Sequence, residues 1–181
     1  MKQHLEIEYK TKLTQDEFNR ILDSLPFEEP KYQENTYYDT PQRSLFNQQS
    51  MCRIRTIGKN YEFTLKVPQE EGVLEYEVTL NDKSLNDDRI IHFLNERNID
   101  MKTMEIIAFS NTVRYEYSDL YGVWCLDYTK FLNSFDFELE YELHAANEKA
   151  YPHYLDTLNS LNIEYKASQP KYLRALNSYD E

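Results

Sequence analysis

"EIEYK", Glu6 to Lys10, places two carboxylates and an ammonium on alternate positions, with Leu5, Ile7 and Tyr9 filling the places between. A period of two is the signature of a strand with one ionic and one apolar face. The ordinary reading sets the apolar face on a core and the charged face in water. Whether it holds here depends on the other strands.

Period two recurs near residues 5–10, 33–39, 51–57, 61–67, 73–80, 110–117, 123–130 and 136–143, which predicts about eight strands. Their charges fall on one side. Glu62, Thr64 and Lys66 oppose Phe63, Leu65 and Val67; Glu75, Glu77 and Thr79 oppose Tyr76, Val78 and Leu80. Arg114 and Glu116 oppose Val113, Tyr115 and Tyr117, and Asp127 sits against Leu126 and Tyr128. Arg53 and Arg55 flank Ile54, while Glu138, Glu140 and Glu142 alternate with Leu139, Tyr141 and Leu143. The short turns "IGKN" (Ile57 to Asn60) and "DLYG" (Asp119 to Gly122) predict antiparallel hairpins.

Amphipathic helices interrupt the strands. "TQDEFNRILDSL" (Thr14 to Leu25) opens with a capping box, Thr14 and Glu17, and carries an apolar stripe of Phe18, Ile21, Leu22 and Leu25. Segments 86–97 and 148–161 have the same character, and a short helix is expected after Ser168, with Pro170 in its first turn.

Two arrangements satisfy this pattern. An open sheet could cover its apolar face with the helices and show the charges to solvent. Alternatively the strands close into a barrel with the ionic face inward and the apolar face under the helices. Enclosing carboxylates and guanidinium groups is costly unless they are paired, hydrated or used by a charged ligand. Three Glu-x-Glu dyads and an Arg-x-Arg favour such use, because carboxylates bind hard divalent cations while Arg and Lys bind phosphate oxygens.

Composition removes several function classes. The 181 residues suit one domain spanning 1–181, and a net charge of −12 opposes non-specific binding to nucleic acid or an anionic membrane. The N-terminus has no apolar leader, so a cytoplasmic location is expected, where Cys52 and Cys125 would be buried thiols. Gly58, Gly72 and Gly122 are too far apart for a P-loop or dinucleotide fingerprint. His4, His92, His144 and His153 are dispersed without HExxH and read as solvated or capping residues. "SQPK", Ser168 to Lys171, matches S-x-x-K formally, but a helix N-cap accounts for the serine.

Taken in order, "EIEYK", "YYDTP" (Tyr37 to Pro41), "CRIR" (Cys52 to Arg55), "TLK" (Thr64 to Lys66), "EYE" (Glu75 to Glu77), Arg114, Asp127, "ELE" (Glu138 to Glu140) and "PKYLRAL" (Pro170 to Leu176) span nearly the whole chain. The set resembles the CYTH superfamily, the triphosphate tunnel metalloenzymes, which include class IV adenylate cyclases, thiamine triphosphatases and inorganic triphosphatases. The resemblance implies an α+β fold built on an eight-stranded antiparallel closed β-barrel, a tunnel with a polar interior flanked by the amphipathic helices. Lys10, Arg53, Arg55, Lys66, Arg114 and Lys171 would grip a triphosphate. Glu6, Glu8, Asp127, Glu138 and Glu140 would hold Mg2+ or Mn2+. Glu75, Glu77 and Glu142 would orient basic residues or water, with the Glu138–Glu142 run leaving the ligand register open by one dyad.

The implied activity is metal-dependent hydrolysis of a small-molecule triphosphate, inorganic, organic or nucleoside, with Lys66, Tyr37 and Arg55 in catalytic roles and Tyr37, paired with Lys66, accepting a proton. The alternatives are a class IV-type adenylate cyclase making cyclic AMP and pyrophosphate, and a non-catalytic polyphosphate or nucleotide-binding module. A homodimer is compatible with all three.

Overall fold

The computed structural model describes residues 1–180. Nine strands form one antiparallel sheet: β1 (Lys2–Glu6), β2 (Glu8–Leu13), β3 (Lys31–Asp39), β4 (Met51–Ile57), β5 (Asn60–Pro68), β6 (Val73–Leu80), β7 (Glu105–Ser118), β8 (Gly122–Lys130) and β9 (Phe135–Leu143). Five helices accompany them: α1 (Gln15–Ser24), α2 (Ser44–Asn47), α3 (Asp88–Asn95), α4 (Ala150–Ser160) and α5 (Lys171–Asn177). No helix among the described residues is long and apolar enough to cross a membrane.

The strand order is β1-β6-β5-β4-β3-β7-β8-β9-β2. Its two end strands are therefore successive lengths of one chain segment, separated by Ile7. The sheet curls until β1 pairs with β6 and β2 with β9, Glu6 facing Val73 and Glu8 facing Glu142 in register. The ninth strand arises here: the N-terminal segment changes partner at Ile7, whose carbonyl accepts a hydrogen bond from the Leu143 N–H at 2.9 Å. Gly72 makes this seam possible, because a Cβ at that position would lie 2.4 Å from the Glu6 carbonyl oxygen and its φ is +82°.

The apolar strand faces point outward onto the helices. Phe18 and Ile21 of α1 and Tyr154 and Leu158 of α4 bury Leu126, Leu139 and Tyr141. Ile90, Phe93 and Leu94 of α3 cover Ile54, Phe63, Leu65 and Val78. α5 packs on the inner side instead, its Tyr172 and Ala175 meeting Tyr37, Met51 and Ala108 at inward positions. The capping box of α1 is present, with Thr14 Oγ1 accepting from the Glu17 N–H at 3.2 Å and Glu17 Oε1 from the Thr14 N–H at 2.9 Å. Cys52 and Cys125 are free and buried.

An open sheet with a solvated charged face would leave the ionic residues exposed. Instead Arg53 is 8% exposed and Glu138 1%. The charges face inward.

Two local expectations are corrected, and one short helix adds to the four that the sequence predicts. β7 begins at Glu105 rather than near residue 110, because the β3–β7 ladder continues past a bulge at Tyr37/Tyr38 to pair Asp39 with Glu105. The short α2 gives no periodic signal. Ser168 is not the cap of the last helix: Pro170 occupies that position, ahead of the first turn, and the Ser168 hydroxyl donates to Glu138.

Candidate active site

A cavity of about 740 Å3 opens inside the curl. Its walls carry six bases, Lys10, Arg53, Arg55, Lys66, Arg114 and Lys171, and six acids, Glu6, Glu8, Glu75, Glu77, Glu140 and Glu142, with Tyr37 among them. Neighbouring strands deliver them because inward positions recur every second residue. Register sets Lys10 opposite Glu140, Lys66 opposite Glu75, and Arg53 opposite Tyr37.

Two sectors differ in how the charges are satisfied. Around Asp127 they are paired. Arg114 grips that carboxylate with two bonds, Nε to Oδ1 at 2.8 Å and Nη2 to Oδ2 at 2.7 Å, and Lys171 Nζ adds a contact at 2.6 Å. Arg114 also reaches Glu140 Oε2 at 3.1 Å. Burial opposes ionisation of Asp127 and Glu140, yet Arg114 and Lys171 outweigh it and hold both below the usual carboxylate range. Glu138 lies behind, against Arg174 Nη2 at 2.8 Å and the Ser168 hydroxyl. Burial, helped by Glu140 beside it, pushes the Glu138 carboxyl up to about 8.

At the seam the acids crowd one another. Burial raises Glu6 and Glu8, and Glu8 is raised further by Glu140 and Glu6. Glu142 is pushed to about 7 by burial and then by Glu6 and Glu8. Lys10 meets Glu8 at 3.1 Å, and Lys66 lies 3.0 Å from Glu6 and 2.9 Å from Glu75. These contacts outweigh burial to hold Lys66 protonated, its pKa raised.

Across the cavity three guanidinium groups stand close. Burial, then Arg53 and Arg114, lowers Arg55 to about 10. Arg53 Nε is buried and has no hydrogen-bond partner among the described residues. Arg55 is steadied by its Nε donating to Asn35 Oδ1 at 3.0 Å; Asn35 donates to Ser110 Oγ at 3.2 Å, and Ser110 bonds the Tyr37 hydroxyl at 3.1 Å.

All but two of the sequence-predicted site residues line the cavity; Asp127 and Glu138 sit behind its wall. Ligand atoms of Asp127, Glu138 and Glu140 still come within 4.8 Å of one another. Glu142 faces the cavity directly. Tyr37 and Lys66, expected as a pair, have different partners: Ser110 takes the hydroxyl, and Glu6 and Glu75 take the ammonium.

His4 is not an isolated solvated side chain. Its Nε2 lies 3.1 Å from Glu75 and its Nδ1 3.9 Å from Glu77. Counting back two residues from Glu6 puts His4 on the same inward face, and the same count from Tyr37 finds Asn35. Ser110 carries no charge to mark it, and Arg174 lies in the last helix with no partner visible in the sequence.

A family model described as the CYTH domain matches residues 4–173. The chain belongs to the CYTH family. Among CYTH relatives, "Putative triphosphatase YjbK" of Bacillus subtilis (strain 168) is 31% identical over 150 residues, 78% of this chain and 79% of the relative. A crystal structure from Bacillus halodurans described as a "putative adenylate cyclase" has 29% identity and a TM-score of 0.87, covering 96% of this chain and 98% of that one. HpAC1 from Hippeastrum, whose description reports a dominant triphosphatase activity, has 22% identity and a TM-score of 0.82, over 97% of this chain and 96% of that one, a likeness of fold. The CYTH tunnel fold accounts for the inward ionic face.

Proposed function

We propose that this CYTH protein hydrolyses a phosphoanhydride bond of a triphosphate, using Mg2+ or Mn2+. The observation that carries the reading is the division of one cavity into an under-neutralised cationic wall and an acidic seam. Arg53 and Arg55, neither in an ion pair among the described residues and the first with a buried unpartnered N–H, are suited to a polyanion. The 31% identity to a protein named as a triphosphatase supports the same activity class.

The seam acids fit a hard divalent ion. Glu6, Glu8 and Glu142 are oxygen donors whose carboxyls are raised by burial first and then by neighbouring carboxylates, Glu75 at Glu6, Glu140 and Glu6 at Glu8, Glu6 and Glu8 at Glu142, and a cation among them offsets both. Glu140 joins them from the next inward position on β9, with Asp127 and Glu138 behind it. A divalent cation held there supplies positive charge to the phosphate chain.

The remaining chemistry belongs to the side chains. Arg53, Arg55 and Arg114 present planar forks to phosphate oxygens, and Lys10, Lys66 and Lys171 add point charges. Charge spreads over the equatorial oxygens as the phosphoryl group transfers, and fixed cations in a buried site stabilise it without reorganising. Glu75 holds Lys66 in place and Glu77 lines the same wall. Water attacks phosphorus, the phosphorus–oxygen anhydride bond breaks, and tripolyphosphate yields pyrophosphate and phosphate. The Tyr37 hydroxyl, held by Ser110 rather than by Lys66, is the proposed relay for the water proton, taking it up as its own O–H proton passes to a phosphoryl oxygen of the product; Tyr37→Phe tests that role through turnover and its pH profile.

The deciding experiment is a panel of tripolyphosphate, ATP, GTP and thiamine triphosphate, each with Mg2+, Mn2+ or EDTA, monitored for phosphate, pyrophosphate and cyclic AMP. Cation-dependent phosphate release is expected. Cyclic AMP from ATP in place of phosphate would make the protein a cyclase. Tight binding without turnover across the panel would make it a sensor.

A further inference from the structure

A buried hydrogen-bond chain runs behind the cationic wall. Asn35 and Tyr37 occupy successive inward positions on β3, and register sets Asn35 opposite Arg55 on β4 and opposite Ser110 on β7. Asn35, Tyr37 and Ser110 are all fully buried. An amide enclosed there is costly unless both its donor and its acceptor are used. Both are: Arg55 Nε donates to Asn35 Oδ1 at 3.0 Å, and Asn35 Nδ2 donates to Ser110 Oγ at 3.2 Å.

The chain has one direction. Because the Arg55 Nε–H can only donate, it sets the carbonyl end of the Asn35 amide toward itself and the NH2 end toward Ser110. Ser110 Oγ therefore accepts from Asn35, and its one other partner among the described residues is the Tyr37 hydroxyl at 3.1 Å. Tyr37 lines the cavity and Ser110 does not. A hydroxyl proton with no acceptor is costly where it is enclosed, so Ser110 gives its proton to the Tyr37 oxygen, and the Tyr37 O–H is left for the cavity. The Tyr37 ring is held in turn by Tyr172 of α5, 5.5 Å away between centroids.

We propose that Asn35 is a positioning residue that carries the donor polarity of Arg55 through Ser110 to Tyr37, and so aims the Tyr37 O–H at an oxygen of the bound polyphosphate. The proposal rests on the triphosphate reading above and deepens it. Asn35 engages only the Nε–H of Arg55, which leaves both Nη groups for phosphate oxygens. Asn35→Asp would reverse the chain: both carboxylate oxygens accept, so Ser110 would donate to position 35, accept from Tyr37 and draw the phenolic proton away from the ligand. Arg55 would stay held.

Binding tests this separately from turnover. Calorimetric titration with tripolyphosphate in EDTA reads the cost of Tyr37→Phe in three backgrounds: wild type, Asn35→Asp and Ser110→Ala. Comparison within one background cancels the charge that Asn35→Asp adds. In the wild type Tyr37→Phe should weaken binding about tenfold, as expected for a lost hydrogen bond to a charged group. The same change should cost less than about twofold in Asn35→Asp and about threefold in Ser110→Ala, where the hydroxyl is undirected. A role in folding alone would leave the cost the same in every background. No loss in the wild type would overturn the proposal, as would the full tenfold loss in either variant background; the wild-type and Ser110→Ala comparisons decide it if Asn35→Asp does not fold. The expected pattern without phosphate release in Mg2+ or Mn2+ would leave the chain standing and defeat the triphosphatase; phosphate release without the pattern would do the reverse.

Discussion

Two sectors of one cavity, built from the same residue types, are left in opposite electrostatic conditions. Around Asp127 the acids and bases satisfy one another: Arg114 and Lys171 close on a carboxylate with no solvent exposure, and Arg174 closes on Glu138. At the seam, where β1 gives way to β2, Glu6, Glu8 and Glu142 face each other with two lysines between several carboxylates. A paired buried charge supports the fold, whereas a crowded one waits for a ligand. The family resemblance assigns acids of both sectors to metal; the contacts show that their charges are met differently.

The strongest way to break that comparison is Asp127→Ala. It leaves Arg114 and Lys171 buried without their main partner, and removing one member of a buried pair costs about 3–5 kcal/mol. Denaturant unfolding should show a loss of that size with or without divalent cation. A loss that appears only with cation present would instead place Asp127 among the metal ligands.

Next in size is Arg55→Ala, at the cationic wall opposite the seam. Arg55 already resists its charge, lowered to about 10 by burial and by Arg53 and Arg114. Its removal should therefore hardly affect folding, while turnover falls about 10²- to 10³-fold through the lost contact with developing phosphate charge. Unchanged kinetics would sink the tunnel mechanism.

The third prediction concerns pH. Glu142 and Glu138 have folded values near 7 and 8, above their ordinary 4.5. The folded state thus holds their protons more tightly than the unfolded chain. The stability this provides is complete below about pH 4.5 and declines as pH rises through 7 and 8. In EDTA, Tm should fall across that window relative to a variant carrying Gln at both positions. Mg2+ or Mn2+ should restore it increasingly at higher pH, because the cation competes with those protons. A flat difference between the two proteins would refute the raised values of these two buried acids.

Much of this is legible in the sequence, for a physical reason: the period of two assigns faces without any knowledge of partners. That count alone places Lys10, Arg53, Lys66 and Glu75 on one face. Alternation cannot say which way a face curls, and the family motifs supply that step. It is also blind to depth along the tunnel, so Asp127 looks equivalent to Glu8 although it lies behind the wall. Asn35 and Ser110 escape because an uncharged polar residue in a strand signals nothing until its hydrogen-bond partner across the sheet is known. The split at Ile7 escapes because a partner change leaves the period intact.

Glu142→Gln should give the smallest effect and the finest discrimination. It removes one charge from the seam but keeps the side chain's size, so the metal-free protein should gain stability at pH 8 and gain almost nothing at pH 5, where Glu142 already carries its proton. A gain of about 1 kcal/mol corresponds to roughly 2–4 °C in Tm for a chain of this length. The same variant should weaken stabilisation by Mg2+ or Mn2+, since the amide offers the ion a neutral oxygen in place of a charged one. Both changes together mark a carboxylate kept for a ligand at the expense of the fold. A loss of stability at every pH would instead place Glu142 with Asp127, among the acids that hold the barrel together.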